Sequence, residues 1–334
     1  MDKKVCVTTL IFLLIPAFPL SAKAIATLYV DPPAVVTSVG DTFSVNITIS
    51  DVIDLAGWEF KLYYSSAKLN GTNLVEGSFL KQGGSTYFAV INFTDNYNST
   101  HGVAWVTCAL LGGSPGVNGN GTLAIVAFEV KQLGTSTLSL IDTWMSDSQP
   151  IPHIALGGIV YVLPHDVAIT DLIPSKTVVG QGLTVKMDVS ILNKGNFTET
   201  FNVTVYANST SITSQTITLT SGNSTTLMCT WNTSGFAYGN HTIKAVADTV
   251  PVETDTGDNN LTGGWVIVSL VGDITGPDGW PDGDVDIRDV SAVARLFGVS
   301  SPSPEYNPNF DINGDGDIDI KDVSTVARHF GEHV

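Results

Sequence analysis

The stretch D-I-N-G-D-G-D-I-D-I-K-D, residues 311–322, decides how this chain is read. Side-chain oxygens fall at positions 1, 3, 5, 9 and 12 of the run, on Asp311, Asn313, Asp315, Asp319 and Asp322. Gly316 holds position 6, where a tight loop needs a residue without a side chain, and Asp317 at position 7 would offer its backbone carbonyl. A hard cation of calcium's size takes six to eight oxygens, and a twelve-residue loop supplies them at alternate positions.

The next residues, V-S-T-V-A-R-H-F-G, place Val323, Val326 and Phe330 on one stripe of a short helix that Gly331 ends. Thirty-three residues earlier the same pattern occurs as P-D-G-D-V-D-I-R-D-V-S-A-V-A-R-L-F-G. Asp282, Gly283, Asp284, Asp286 and Asp289 match Asp315, Gly316, Asp317, Asp319 and Asp322, so the segment is an internal duplication. The front of the first copy can be read in two ways. Counting twelve residues back makes Asp278 its first ligand and puts Trp280, which has no side-chain oxygen, at position 3. Starting instead from Asp273 and Thr275 requires an insertion of about five residues, G-P-D-G-W, and mirrors the D-I-N spacing of the second copy.

A solvated acidic run has no need of glycines in phase or of an apolar helix behind each loop. A helix-loop-helix pair is excluded upstream, because S-P-S-P-E-Y-N-P-N-F before Asp311 holds three prolines and cannot form an entering helix. Loop plus exiting helix, duplicated, with Asp at position 12, resembles the type I dockerin module over residues 271–334. The resemblance implies two Ca²⁺ ions, calcium-dependent folding and docking onto the cohesin domain of another protein. It also places partner contacts near loop positions 10 and 11 and at helix positions 17, 18 and 22. The matching residues include Arg288, Ala294 and Arg295 in copy one and Lys321, Ala327 and Arg328 in copy two. Because the copies present nearly the same residues, a pseudo-twofold module that docks either way round is expected. The Ser or Thr common at positions 10 and 11 in cellulosomal dockerins is absent, which leaves the partner's identity open.

The chain has 334 residues, enough for two or three domains, and a net charge of −17, about half of it in the tail. With only 15 Lys and Arg it carries no basic footprint for nucleic acid. Low charge with abundant Thr, Ser, Gly and Asn favours strands. M-D-K-K, an apolar run interrupted by Pro16 and Pro19, and overlapping small-x-small sites read as a signal peptide cleaved after Ala24 or Ala26, which makes the protein secreted or associated with the cell surface. Cys6 would leave with that peptide, and Cys108 and Cys229 read as two buried thiols.

Residues 26–163 read as strand after strand. In T-F-S-V-N-I-T-I, Phe43, Val45, Ile47 and Ile49 alternate with polar residues, and W-E-F-K-L-Y-Y turns Trp58, Phe60 and Leu62 inward. About eight or nine strands imply a jelly-roll-like β-sandwich. The G-D-T-F-S-V-N-I-T-I, G-W-E-F-K-L-Y-Y and G-T-L-A-I-V-A-F-E-V strands resemble those of cohesin domains, which implies a socket for a dockerin-bearing protein. A carbohydrate-binding sandwich is the alternative, with Trp58, Tyr63, Tyr64, Trp105 and Trp144 as a glycan-stacking strip; alternation assigns Trp58 and Trp105 to the core instead.

Residues 165–270 suggest seven short strands and an immunoglobulin-like β-sandwich, V-E-T-D-T-G-D-N-N being the last run. The order N-x-G, V-Y, L-x-x-G-x-S, W, G-x-H-x-I-x-A and D-x-x-N-N resembles the CARDB domain, which implies a surface spacer or adhesion module without catalysis. Asp255, Asp258, Asn259 and Asn260 form either an acidic turn or a cation cradle, the turn being the simpler reading. Twelve N-x-S/T triplets between Asn46 and Asn260 make an exported form a candidate glycoprotein. The six histidines show no ligand spacing, and no G-x-S-x-G, C-x-x-C or phosphate loop is present. The expectation is a mainly β, non-enzymatic scaffold or adaptor: socket, spacer and a small α-helical calcium-binding plug. Plug and socket on one chain raise self-association as a further possibility. The rival expectation is an adhesin whose tail only staples the C-terminus.

Overall fold

The computed structural model describes residues 25–112 and 115–334; the expected signal segment 1–24, with Cys6, lies outside them. The chain forms two compact units, the first centred on residues 43–128 and 136–159 and the second on 160–334.

Among the described residues the first sandwich has eleven strands: β1 (Ala26–Asp31), β2 (Ala34–Thr37), β3 (Thr42–Leu55), β4 (Gly57–Ser65), β5 (Leu69–Glu76), β6 (Thr86–Thr94), β7 (His101–Leu110), β8 (Val117–Val130), β9 (Gly134–Ser146), β10 (His153–Leu156) and β11 (Gly158–Val162). Its sheets run β10-β1-β3-β8-β5 and β2-β11-β9-β4-β7-β6. The strands beyond the expected eight or nine include β2 and β10, which have four residues each, too few to show alternation. Period-two burial holds through β4, where Trp58, Phe60, Leu62 and Tyr64 all face the core. Tyr64 fits because two neighbours are glycines: a Cβ on Gly102 would stand 2.3 Å from its ring and one on Gly71 2.7 Å from its hydroxyl. That hydroxyl donates to Asp95 Oδ1 at 2.6 Å, so the buried ring keeps its polar end satisfied.

Of the five candidate stacking residues, Trp58 and Tyr64 are therefore core. Trp105 is not, although alternation assigned it there. It pairs with Lys61 across β4–β7, Lys61 Nζ lies 4.2 Å from its ring centroid, and its indole N–H donates to Glu59 Oε1. Trp144 is 53% exposed. Cys108 is buried and Cys229 half-buried; both are free thiols. Burial first, then Glu76, pushes the Cys108 thiol up to about 12.

The second unit contains β12 (Val167–Pro174), β13 (Val178–Gly180), β14 (Thr184–Asn193), β15 (Glu199–Ala207), β16 (Thr210–Leu219), β17 (Ser224–Asn232), β18 (Gly239–Ala247) and β19 (Asn260–Ser269), then helices α1 (Ile287–Arg295) and α2 (Ile320–Arg328). Sheets β12-β14-β17 and β13-β19-β18-β15-β16 enclose a core around Trp231, Val189, Val205, Ile243 and Val266. The run V-E-T-D-T-G-D-N-N is a turn and not a strand until Asn260, since its Asp, Gly and Asn residues favour turns. Glu253 organises it by accepting from the amides of Val167 and Val250.

Residues on both sides of position 270 share one apolar cluster. Val178 of β13 is buried with Ile274, Val285, Val293, Ile312, Ile318 and Val326, while Leu183, Ile267 and Leu270 pack against it. Among the described residues no helix is long and apolar enough to cross a membrane.

Candidate functional site

Each tail helix is fixed at its start by a capping box. Asp286 and Asp319 are the N-caps, and Asp289 and Asp322 reach back to the N-cap amides at 2.9 Å. The second oxygen of Asp322 accepts from Ile312 N at 2.8 Å and Asn313 N at 3.3 Å. In copy one the second oxygen of Asp289 accepts from Ile274 N at 2.9 Å and Thr275 N at 3.0 Å. At the loop mouth, Asp311 accepts from the amides of Gly314, Asp315 and Gly316, and Asp273 accepts from those of Asp282 and Gly283. Asp273 and Thr275 thus occupy the structural places of Asp311 and Asn313, while Asp278 stands in the inserted turn. Gly283 and Gly316 have φ of 91° and 93°, the left-handed conformation that the sharp turn demands.

The loops are tied to each other crosswise. Val285 exchanges hydrogen bonds with Gly331 and Glu332, beyond α2, while Ile318 does so with Gly298 and Val299, beyond α1. The helices meet through buried Val293 and Val326, with Val290 and Val323 half-buried beside them. Phe330, expected on the same stripe, and its counterpart Phe297 in the first copy are each 56% exposed. The helices end at Arg295 and Arg328, so both rings stand in the following turn, off the helical phase.

The donor set suits a hard cation. Asp273, Thr275, Asp282, Asp284, Asp286 and Asp289 in one loop, with Asp311, Asn313, Asp315, Asp317, Asp319 and Asp322 in the other, offer only oxygen. Asp273, Asp289, Asp311 and Asp322 are buried. Burial above all pushes the Asp273 carboxyl up to about 7 and raises that of Asp289, so a cation would relieve a cost the fold imposes on their charge. Among the described residues no three Asp, Glu, His or Cys side chains are gathered to hold a metal as they stand. The outer carboxylates are instead spanned by the position-11 side chain. Arg288 reaches Asp286 at 2.9 Å and Asp282 at 3.3 Å, and Lys321 reaches Asp315 at 2.7 Å and Asp319 at 3.6 Å.

Of the six candidate contact residues, Ala294, Arg295, Ala327 and Arg328 are exposed on the helices, whereas Arg288 and Lys321 are exposed yet engaged by the loops. Ile287 and Ile320, at position 10, are 64% and 63% exposed and complete matching apolar spots. Three further residues bear on loop two. Tyr306 donates its hydroxyl to Asp311 Oδ2 at 2.6 Å, and Lys176 donates from the second sandwich to the Asp311 carbonyl at 2.6 Å. Asn309 accepts from the amides of Thr177 and Val178. None has a sequence signal: Lys176 lies 135 positions from Asp311, and Asn309 sits in an N-P-N turn that reads only as a helix breaker.

Family models match in the order of these structural regions: the cohesin domain over residues 29–150, CARDB over 165–263 and the dockerin type I domain over 278–331. The first region is similar to a non-cellulosomal cohesin from Archaeoglobus fulgidus, at 17% identity over 42% of this chain and 91% of that one, with a TM-score of 0.34. It is likewise similar to a chain of a type I cohesin–dockerin complex from Clostridium thermocellum, at 16% identity over 41% and 93%, TM-score 0.34. The second is similar to a CARDB domain from Pyrococcus furiosus solved in complex with di-metal ions, at 25% identity over 32% and 94%, TM-score 0.29. No curated protein matches the chain. The protein thus carries cohesin, CARDB and type I dockerin domains in that order, module types that are non-catalytic and, for the first and last, serve protein–protein assembly.

Proposed function

We propose that this protein is a secreted, non-catalytic adaptor that builds extracellular complexes through calcium-dependent cohesin–dockerin pairing. The observation that carries this reading is the pair of matching loop networks, closed by Asp289 and Asp322 and cross-linked through Val285 and Ile318. Two Ca²⁺ ions, one per loop, would be held by Asp273, Thr275, Asp282, Asp286 and Asp289 and by Asp311, Asn313, Asp315, Asp319 and Asp322, with the Asp284 and Asp317 carbonyls. Calcium supplies the positive charge that lets these crowded carboxylates stay ionised in a fixed loop. The folded tail then presents Ile287, Arg288, Ala294 and Arg295, or by its pseudo-twofold Ile320, Lys321, Ala327 and Arg328, to the cohesin of another protein.

The first sandwich receives a dockerin-bearing protein on the outer face of its six-stranded sheet, where Tyr63, Trp105, Ile141 and Trp144 lie about Lys61. Export follows from residues 1–24 as a signal peptide; cleavage after Ala24 leaves β1 whole, since that strand begins at Ala26. Tyr63, Trp105 and Trp144 on one face favour glycan binding as the second reading. Binding of the full chain to immobilised type I cohesins, with calcium and with EDTA, separates the two. An adaptor binds a cohesin only with calcium. An adhesin ignores cohesins and retains polysaccharide in EDTA. Sedimentation of the chain alone with calcium tests self-pairing, which appears as concentration-dependent oligomers.

A further inference from the structure

Six buried side-chain N or O atoms among the described residues lack a hydrogen-bond partner, and three of them, Asp166 Oδ1, Asp258 Oδ1 and Asn259 Oδ1, occur together beside the turn that leads into β19. Native proteins rarely leave such groups unpaired, so three in one place call for a ligand. The residues are bound into one cluster from two sides. Outside, Lys194 Nζ reaches Asp258 Oδ2 at 2.7 Å and Asp166 Oδ2 at 3.7 Å, so each carboxylate spends its outer oxygen on the lysine. Inside, Glu253 accepts from Val167 N, next to Asp166, and from Asn259 Nδ2. Backbone bonds hold the frame, since the Asp258 carbonyl accepts from Ile169 N and the Asp166 carbonyl from Lys194 N.

Asn259, next to Asp258 in the chain, is only 4% exposed, and its amide nitrogen is committed to Glu253, which leaves its buried oxygen with no donor. A single water has two protons and can satisfy two of the three acceptors, never all three. A cation satisfies them together. Two carboxylates and an amide oxygen are hard ligands of the kind that Ca²⁺ takes.

We infer that Asp166, Asp258 and Asn259 form a divalent-cation site in the immunoglobulin-like domain, separate from the tail loops, which staples the start of β12 to the start of β19. The acidic turn is then the rim of this site. The site does not depend on the tail's binding calcium.

Native mass spectrometry of the full, chelator-stripped chain with CaCl₂ as the only added metal counts the ions. Wild type is expected to hold one calcium more than Asp258→Asn, whatever number the tail loops take. The charge-state envelope in the same spectra reports whether the variant is folded. If it is not, Lys194→Met is read in its place: removal of the competing ammonium should tighten the extra ion at least threefold. Equal counts in wild type and a folded Asp258→Asn, or an unchanged affinity in Lys194→Met, would overturn the inference. Loops that fail to bind would lower both counts equally and leave the difference of one intact.

Discussion

Single residues carry most of the site's logic. Twelve oxygen-bearing loop positions were legible in the sequence because calcium loops fix their ligands by spacing, yet the first ligand of copy one stayed open between Asp273 and Asp278. Only the amide bonds of Ile274 and Thr275 to Asp289, twins of those of Ile312 and Asn313 to Asp322, place Asp273. The cations at position 11 were expected as contact residues and not as counter-ions, since their reach across the loop depends on side-chain geometry. Lys321 spans Asp315 and Asp319, which under the proposed function would hold calcium, so Lys321→Met should tighten calcium binding a few-fold by isothermal titration; weaker binding would show that the lysine supports the site. In the first sandwich, Gly102→Ala should destabilise by about 1–3 kcal/mol in denaturant melts, because the added Cβ meets the Tyr64 ring at 2.3 Å. A neutral result would mean that the ring moves without cost.

At the scale of elements, long alternating strands were readable and short ones were not. β4 and β14 declare themselves by period two, while β2, β10 and β13 consist of three or four residues held by their neighbours. Trp105 shows the limit within a strand: alternation gives a face its period, but which face is inward depends on the opposing sheet. Both tail helices were legible, though the second was read as running to Gly331 instead of Arg328, which put Phe330 on its apolar stripe. The crosswise pairing of the loops had no sequence signal at all. It implies that the last four residues belong to the first loop, because Gly331 N donates to the Val285 carbonyl and Val334 N to that of Gly283. Deleting residues 331–334 should therefore weaken calcium binding at loop one more than at loop two. A calcium titration followed by amide chemical shifts distinguishes the loops, and equal effects on both would contradict the crosswise account.

For the whole molecule, three segments with three patterns were visible from composition and periodicity, whereas the continuity of the second sandwich with the tail was not. Their shared cluster joins Val178 and Ile267 to Ile312 and Val326, and Asn309 seals it by holding the amides of Thr177 and Val178. Loss of that side chain strands two amides, so Asn309→Ala should cost about 1–3 kcal/mol in the thermal or denaturant stability of the second unit. The tail is thus packed onto the second sandwich, and under the proposed function its loops require calcium before the helices present their outer faces. Hydrogen exchange of the full chain, in millimolar calcium and in excess chelator, reads this most directly. Protection of the Ile274, Gly283, Ile312 and Gly316 amides should rise at least tenfold with calcium, while the strands around Trp231 stay unchanged. Equal protection of those four amides in both conditions would contradict the account.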